Sequence, residues 1–402
     1  MSRIEASVNH PVPNYSKGLE GVVADESALG LVDGANGRLY YRGYPIEDIV
    51  AKKSFDETAH LLLFGAFPNA EELASFRRTL AEHRQPPGFV LDVARTLPKS
   101  LHPMEALQTL VALVGTIRPG ELGVRRVADP DGTKHSEIEP AERLRSDVLA
   151  VLAQIPTLVA AFHRARTEQP FVEPRADLSL LASFLHLFHG RVPADEDVRV
   201  FEVCEMLQME HGFNASTFTA RVVASTLASP HTALSSAIGA LCGILHGGAD
   251  QAAFLMARDD VRTPGAARDY VEKTLAAGGR IMGVGHREYK TIDPRATILK
   301  GMAKDLAHHK GGEKKLLFDT LSAIEEAASA EFEKRGQRVH ANVEFYKGAV
   351  FGALDIPPDH FTAMFAIARA FGWSAHLLEL AKDHRIYRPT SHFSGEFPRR
   401  IE

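Results

Sequence analysis

Ser54-Phe55-Asp56-Glu57-Thr58-Ala59-His60-Leu61-Leu62-Leu63-Phe64-Gly65 is the stretch whose reading decides the fold class. Ser54 and Glu57 have the spacing of a capping box, in which each side chain satisfies a backbone N–H at the start of a helix. Ala59, Leu62 and Leu63 then share one helical face, and Gly65 is a stop. Pro68-Asn69 restarts the chain, and Asn69 with Glu72 repeats the box. Leu73, Phe76 and Leu80 form the next apolar stripe, with Arg77, Arg78 and Glu82 facing away. The run Met104 to Val114 is apolar almost all round, which predicts a buried helix.

Strand signals are few. Asp33-Gly34 and Asn36-Gly37 lie between short apolar runs in Gly30 to Tyr41 and predict one small N-terminal hairpin. Strands and helices do not alternate repeatedly, so a doubly wound sheet is excluded and the class is all-α. Pro119 to Pro140 reads as an exposed loop, and Lys310 to Lys315 as a second polar turn. There is no internal repeat and no low-complexity tract.

Composition narrows the function. The 402 residues carry 46 Lys+Arg against 51 Asp+Glu, a formal net charge of −5. That balance argues against affinity of the whole chain for nucleic acid or an anionic membrane. Only Cys204 and Cys242 are present, which excludes a disulfide framework and a thiolate-based zinc site. One disulfide is formally open, but two reduced core residues are expected. No secretory signal or transit peptide is read at the N-terminus, and no bilayer-spanning apolar stretch is expected. Leu178 to Phe188 comes nearest, but it is short and contains His186. These features predict a soluble, cytoplasmic protein.

Three segments break the core pattern: Glu210-His211-Gly212-Phe213-Asn214-Ala215-Ser216-Thr217, Leu245-His246-Gly247-Gly248-Ala249 and Gly283-Val284-Gly285-His286-Arg287-Glu288-Tyr289-Lys290. Each sets a histidine beside glycine or small residues, where backbone and ligand can approach closely. With 19 histidines in the chain, such neighbours can also arise by chance. The glycines fit neither a phosphate loop nor a dinucleotide fingerprint. The histidines are 35 and 40 residues apart, without the i,i+4 pairing of helix-borne zinc sites, so no metal is expected. Glu344, between Val343 and Phe345, reads either as a partly buried carboxylate able to act as a base or as a solvated helix-face residue. Arg369 lies in an apolar run, where an unpaired cation is costly, and so needs an anionic partner from the protein or a ligand. Arg388 is less distinctive and reads equally as a surface charge.

In this order, FNASTF, LHGGA, GHR-x-YK, DPRA and FAIAR-x-x-GW-x-AH form a specific combination. By it, and by Gly18–Ala24, Arg42-Gly43-Tyr44 and Arg385–Pro389, the chain resembles the citrate synthase family. The resemblance implies a large domain (1–246 and 357–402) and a small mobile domain (247–356) carrying CoA binding. It assigns His246 to the thioester carbonyl of acetyl-CoA, His286 to the oxaloacetate ketone, and Glu344 to removal of the methyl proton. His211, Arg295, Arg369, Arg388 and Asn214 would hold oxaloacetate, and Lys290 and Arg287 the CoA phosphates. Arg388 would reach across a homodimer into the partner's site. No metal or redox cofactor is implied, since acetyl-CoA is a substrate.

Three positions depart from the family pattern. Glu344 stands where aspartate is usual, and Glu210 where aspartate is common. Glu288 replaces an apolar residue near the presumed CoA entry and would disfavour further negative charge there. Glu344 keeps the carboxylate but adds a methylene, and a displacement of about 1 Å in a catalytic group can cost on the order of a hundredfold in rate. Two other readings follow: a 2-methylcitrate synthase using propionyl-CoA, and a paralogue that binds oxaloacetate or CoA without catalysis.

Overall fold

A computed structural model describes residues 15–116, 141–286, 288–395, 399 and 401. The described chain is built of helices. In order they are α1 (Ile46–Lys52), α2 (Phe55–Phe64), α3 (Ala70–His83), α4 (Gly88–Thr96), α5 (Pro103–Val114), α6 (Ala141–Arg166), α7 (Leu180–His189) and α8 (Asp195–Met206). There follow α9 (Ala215–Ala224), α10 (Pro230–Leu241), α11 (Ala249–Leu255), α12 (Ala267–Ala276), α13 (Pro294–Lys310), α14 (Gly312–Lys334), α15 (Val343–Ala353) and α16 (Phe361–Leu380).

The capping boxes form as the sequence predicts. Ser54 and Glu57 exchange both bonds at the start of α2, and Asn69 and Glu72 do so at α3. Gly65 closes α2 in the left-handed conformation at φ 93°. The hairpin is present, β1 (Gly30–Asp33) against β2 (Arg38–Tyr41), with Gly30 opposite Tyr41. A third strand, β3 (Tyr44–Pro45), extends it. Two residues are too few for alternation to signal a strand.

Three expectations need correction or restriction. The expected exposed loop at 119–140 lies outside the described residues. The polar turn at 310–315 is tighter than predicted: α13 runs to Lys310, Gly311 breaks the chain at φ 71°, and α14 already begins at Gly312. The window Glu142–Arg166 in α6 is long and apolar enough, by length and composition alone, to cross a membrane. Yet 72% of it is buried inside the protein, the condition of a core helix. Both cysteines are free, Cys204 buried and Cys242 half-buried.

Helix α16 is the axis of the core. It packs against α2, α6, α8, α9 and α10, and Trp373, Phe371 and Ile367 are buried. Its closest approach is at Gly372, where a Cβ would lie 2.0 Å from the Met209 carbonyl oxygen. The buried segment Leu207–Glu210, leading from α8 to the histidine at 211, is thereby pressed against α16. Tyr41 fixes it from the other side. Its hydroxyl donates to the Met206 carbonyl at 3.0 Å and accepts from the Glu210 N–H at 3.2 Å.

This packing makes a testable contrast. Gly372→Ala forces a methyl group into a carbonyl and should cost about 1–3 kcal/mol or more. At Gly301 in α13 a Cβ would meet nothing within 4 Å. Gly301→Ala should therefore leave stability unchanged or raise it by roughly 0.5–1 kcal/mol. Urea midpoints of the two variants check both signs.

Candidate active site

Helix termini and the turns beside them assemble the site. Asn214 caps α9: its Oδ1 accepts from the Thr217 N–H at 3.1 Å and lies 2.9 Å from Ser216 Oγ. Ser216, so placed, presents its backbone N–H (3.3 Å) and Oγ (2.8 Å) to His246 Nε2. A backbone N–H can only donate, so Nε2 accepts and a neutral ring carries its proton on Nδ1. Burial, aided by Arg369, pulls His246 down to about 4.

His286 is held in the opposite tautomer. Its Nδ1 accepts from the backbone N–H groups of Glu288 (3.0 Å) and Tyr289 (3.1 Å), and these two shorter bonds outweigh Arg295 Nη2, 3.4 Å from Nε2, and leave the proton to Nε2. Burial and the nearby Arg295 lower it to about 4. His211 faces it, ring centroids 5.6 Å apart, with Nε2 at 3.2 Å from the Tyr289 hydroxyl. Burial holds His211 well below the ordinary imidazole range. All three rings are neutral at pH 7.

The buried arginines differ. Arg295, at the start of α13, is matched by Asp293 through Nε at 3.0 Å and Nη2 at 2.9 Å. Burial works against the Arg295 charge, but Asp293 outweighs it and the guanidinium is held above its ordinary value. Asp293 also accepts from the Val343 N–H at 3.1 Å and so ties this turn to the start of α15. Arg369 is 2% exposed, donates through Nε to the Gln208 carbonyl at 2.6 Å and lies over the Phe365 ring at 4.7 Å. Among the described residues, no carboxylate makes an ion pair with it. Burial pushes its pKa down, as expected of a cation short of counter-charge.

Glu344 stands in the first turn of α15, capped by Asn342, whose Oδ1 accepts its N–H at 2.9 Å. Its side chain is 19% exposed, which favours the partly buried reading over a solvated helix face. Its carboxylate meets Lys347 Nζ at 2.5 Å, and Lys347 in turn meets Asp250 at 3.0 Å. The Phe365 ring carries Lys347 at 4.3 Å and lies 6.5 Å from the His246 ring, joining the two halves of the cluster.

Not every candidate enters this cluster. Asn214 acts in this structure as a cap and orienter of Ser216. Lys290 is exposed beside a cavity of about 260 Å³, lined also by His286, Arg338, His340 and Asn342. Arg287 lies outside the described residues. Arg388 is exposed and apart from the cluster, on a segment anchored where the Tyr387 N–H meets Ser225 Oγ and its hydroxyl accepts from Arg221. Glu210 is wholly buried; its two oxygens hold His376 at 3.0 Å and the Gly212 N–H at 2.6 Å. Glu288 is exposed and contributes through its backbone. The hairpin turn closes over this loop: the Lys290 N–H donates to the Gly34 carbonyl at 2.9 Å, and a Cβ at Gly34 would sit 2.2 Å from the Glu288 oxygen.

Sequence reading missed Ser216, Tyr289, Asp293, Asp250 and Lys347 as working parts of the site. The first three lie inside or beside quoted motifs. Lys347 and Asp250 gave no signal, because a lysine after an aromatic pair and an aspartate opening a helix are ordinary residues alone.

Buried cations, one of them without an ion-pair partner among the described residues, and neutral imidazoles around a carboxylate are the makings of an enzyme site that binds an anion and moves protons. The comparisons with known proteins agree with that class. The family model "Citrate synthase, C-terminal domain" matches residues 18–390. The citrate synthase of Acidithiobacillus ferridurans is 39% identical over 392 residues, covering 96% of this chain and 97% of that protein. The 2-methylcitrate synthase 1 of Corynebacterium glutamicum is 34% identical, covering 96% of each. The structure of the Thermoplasma acidophilum citrate synthase in ternary complex with carboxymethyl coenzyme A and oxaloacetate superposes with a TM-score of 0.86 at 28% identity, over 97% of this chain and 98% of that one. The chain belongs to the citrate synthase family, a family of acyl-transferring enzymes.

The depressed imidazoles set a pH dependence. The unfolded chain takes up protons on His246 and His286 near 6.5, whereas the folded chain resists until about 4. More protons bound by the unfolded state means stability is lost as pH falls from 6.5 towards 4. The urea midpoint should therefore drop between pH 7 and pH 4.5. The drop should be smaller in the His246→Gln/His286→Gln double variant.

Proposed function

We propose that this protein condenses acetyl-CoA with oxaloacetate and hydrolyses the resulting thioester to citrate and CoA. The observation that carries this reading is Arg369: a buried guanidinium without an ion-paired carboxylate among the described residues, set among neutral imidazoles and beside the Arg295 pair. Oxaloacetate brings the missing negative charge, and bidentate arginine contacts fix its orientation.

The chemistry follows from the tautomers. A thioester methyl is a very weak acid, and it yields its proton to a carboxylate only if a placed donor meets the developing enolate oxygen. His246 donates through Nδ1 because Ser216 occupies Nε2. Glu344 takes the methyl proton. The enol carbon then attacks the oxaloacetate ketone carbon while His286, its Nδ1 held by two backbone N–H groups, donates through Nε2 to the ketone oxygen. Water cleaves the citryl thioester, releasing CoA. Each step is proton transfer, carbon–carbon bond formation or hydrolysis, so no redox cofactor or metal is called for. A neutral imidazole can donate without losing a full proton, as recurs at enolising sites.

The same reading assigns the CoA phosphates to the basic rim of Lys290 and Arg338 around the 260 Å³ cavity. It takes residues 247–356 as a small domain that closes on the rest, excluding water. It makes the working protein a cytoplasmic homodimer in which Arg388, exposed in the single chain, serves the partner's site. The relatives named 2-methylcitrate synthase keep propionyl-CoA as the second substrate to test.

The test is thiol release from acetyl-CoA and from propionyl-CoA, each with and without oxaloacetate. Release should depend on oxaloacetate, with the higher kcat/KM for acetyl-CoA. Glu344→Gln should lower kcat by roughly 10²–10⁴-fold. A higher kcat/KM for propionyl-CoA would reassign the donor. No release from protein that oxaloacetate still stabilises thermally would replace catalysis of these donors by a binding role.

A further inference from the structure

Behind Glu344 lies a charged group that the reaction as described does not use. Lys347, one turn further along α15, is completely buried. Three oxygens crowd its ammonium: Glu344 Oε2 at 2.5 Å, Asp250 Oδ2 at 3.0 Å and Gln208 Oε1 at 2.8 Å. Its fourth neighbour is the Phe365 ring, whose centroid is 4.3 Å away. The oxygens come from α15, α11 and the segment after α8, and the ring from α16, so four parts of the fold fix the ammonium. Glu344 has one ion-pair partner among the described residues, and it is this lysine.

We propose that Lys347 is a positioning residue for the catalytic carboxylate: it pins the longer glutamate side chain, while Asp250 shares the ammonium and keeps it from neutralising Glu344 alone. The inference rests on Glu344 being the base. A glutamate has one more torsion than an aspartate, and an unpinned carboxylate would spread over several rotamers. A private buried lysine would pin it, but would also hold it deprotonated too strongly to accept a proton. A second carboxylate on the same ammonium resolves that conflict.

The surroundings fit this division. Burial raises Asp250 against the pull of Lys347, and the nearby Glu344 charge raises it further, as expected of two carboxylates competing for one cation. Burial also works against the Lys347 charge, yet Asp250 and Glu344 outweigh it and hold the lysine above its ordinary value. The other titratable groups facing the ammonium are Glu205 and Cys204 on α8, both buried and both held above their ordinary values by burial. Arg369 shares the Phe365 ring from its own side at 4.7 Å, and His246 is neutral. Arg369, His246 and His286 also feel the Glu344 charge from a distance, but the ammonium in contact with it is that of Lys347, shared with Asp250.

Two near-isosteric substitutions should move activity in opposite directions along the pH axis. Lys347→Met removes the cation. Its kcat should fall on the order of 100-fold, with the oxaloacetate KM held within about threefold because the arginines are untouched. The acid limb of its kcat profile should move up by about one pH unit or more. Asp250→Asn removes the competitor and leaves the lysine wholly to Glu344. Its acid limb should move to lower pH. A merely structural role would lower yield and thermal stability in both and move the limbs in neither, or in the same direction. That result overturns the proposal. So does a folded Lys347→Met enzyme with unchanged kcat and acid limb. If Lys347→Met does not fold, the Asp250→Asn profile decides alone: a limb moved down supports the proposal, and an unmoved limb overturns it. Wild-type protein that releases no CoA from either donor overturns the functional reading and this proposal together, whereas an active wild type with indifferent variants overturns the proposal alone.

Discussion

A guanidinium in the middle of an apolar helix is tolerable only if something neutralises it or the site is built to wait for an anion. Burying an uncompensated ion costs several kcal/mol even after relaxation. Arg369 occupies that position on α16, held by a backbone carbonyl and an aromatic face. Much of the fold serves to keep it there. Trp373 and Phe371 pack α16 into the core, Gly372 admits the Met209 backbone, and Tyr41 braces the same segment from the sheet. On the proposed function, an anionic substrate converts this cost into binding energy.

The remaining charges are sorted by a consistent rule. Those that hold the frame are paired internally: Arg295 with Asp293, and Arg221 with Asp25 and Glu379. The groups read as meeting substrate are either short of a counter-charge or kept neutral. The three imidazoles lose their charge to burial, and the tautomers of His246 and His286 are chosen by backbone N–H groups, which can donate but not accept. Such donors are fixed before substrate arrives and need no reorganisation during reaction. Glu344 belongs to both classes, since it is paired with Lys347 and, on the proposed function, still has to act, which is why the sharing of that lysine with Asp250 matters.

Much of this is legible in the chain. The capping boxes at Ser54 and Asn69, the apolar run of α5 and the Asp33–Gly37 turn are local signals, and each forms in the folded protein. The order of the histidine and arginine motifs points to the family, and the costly cation at 369 is visible as one arginine among Phe, Ala and Ile. Two features exceed a local reading. Helix α6 is charged at its ends, which masks how long and apolar its middle is. Asn214 carries a substrate-binding expectation because it sits in a motif, and its capping of α9 through Oδ1 is a further role that the motif does not announce.

What the sequence alone determined is therefore the periodic and the local: helix class, caps, the hairpin, and which residue types carry chemistry. What only the tertiary structure decided is pairing. Gln208 and Lys347 lie 139 residues apart, with Asp250 and Glu344 between them, and nothing in the chain marks the four as sharing one ammonium. Arg295 and Arg369 look alike in sequence, yet one is neutralised by an aspartate two residues away and the other is left open. The physical reason is that the energy of a charge depends on its burial and on the few ångströms to its nearest opposite. Packing sets both, and composition and spacing set neither.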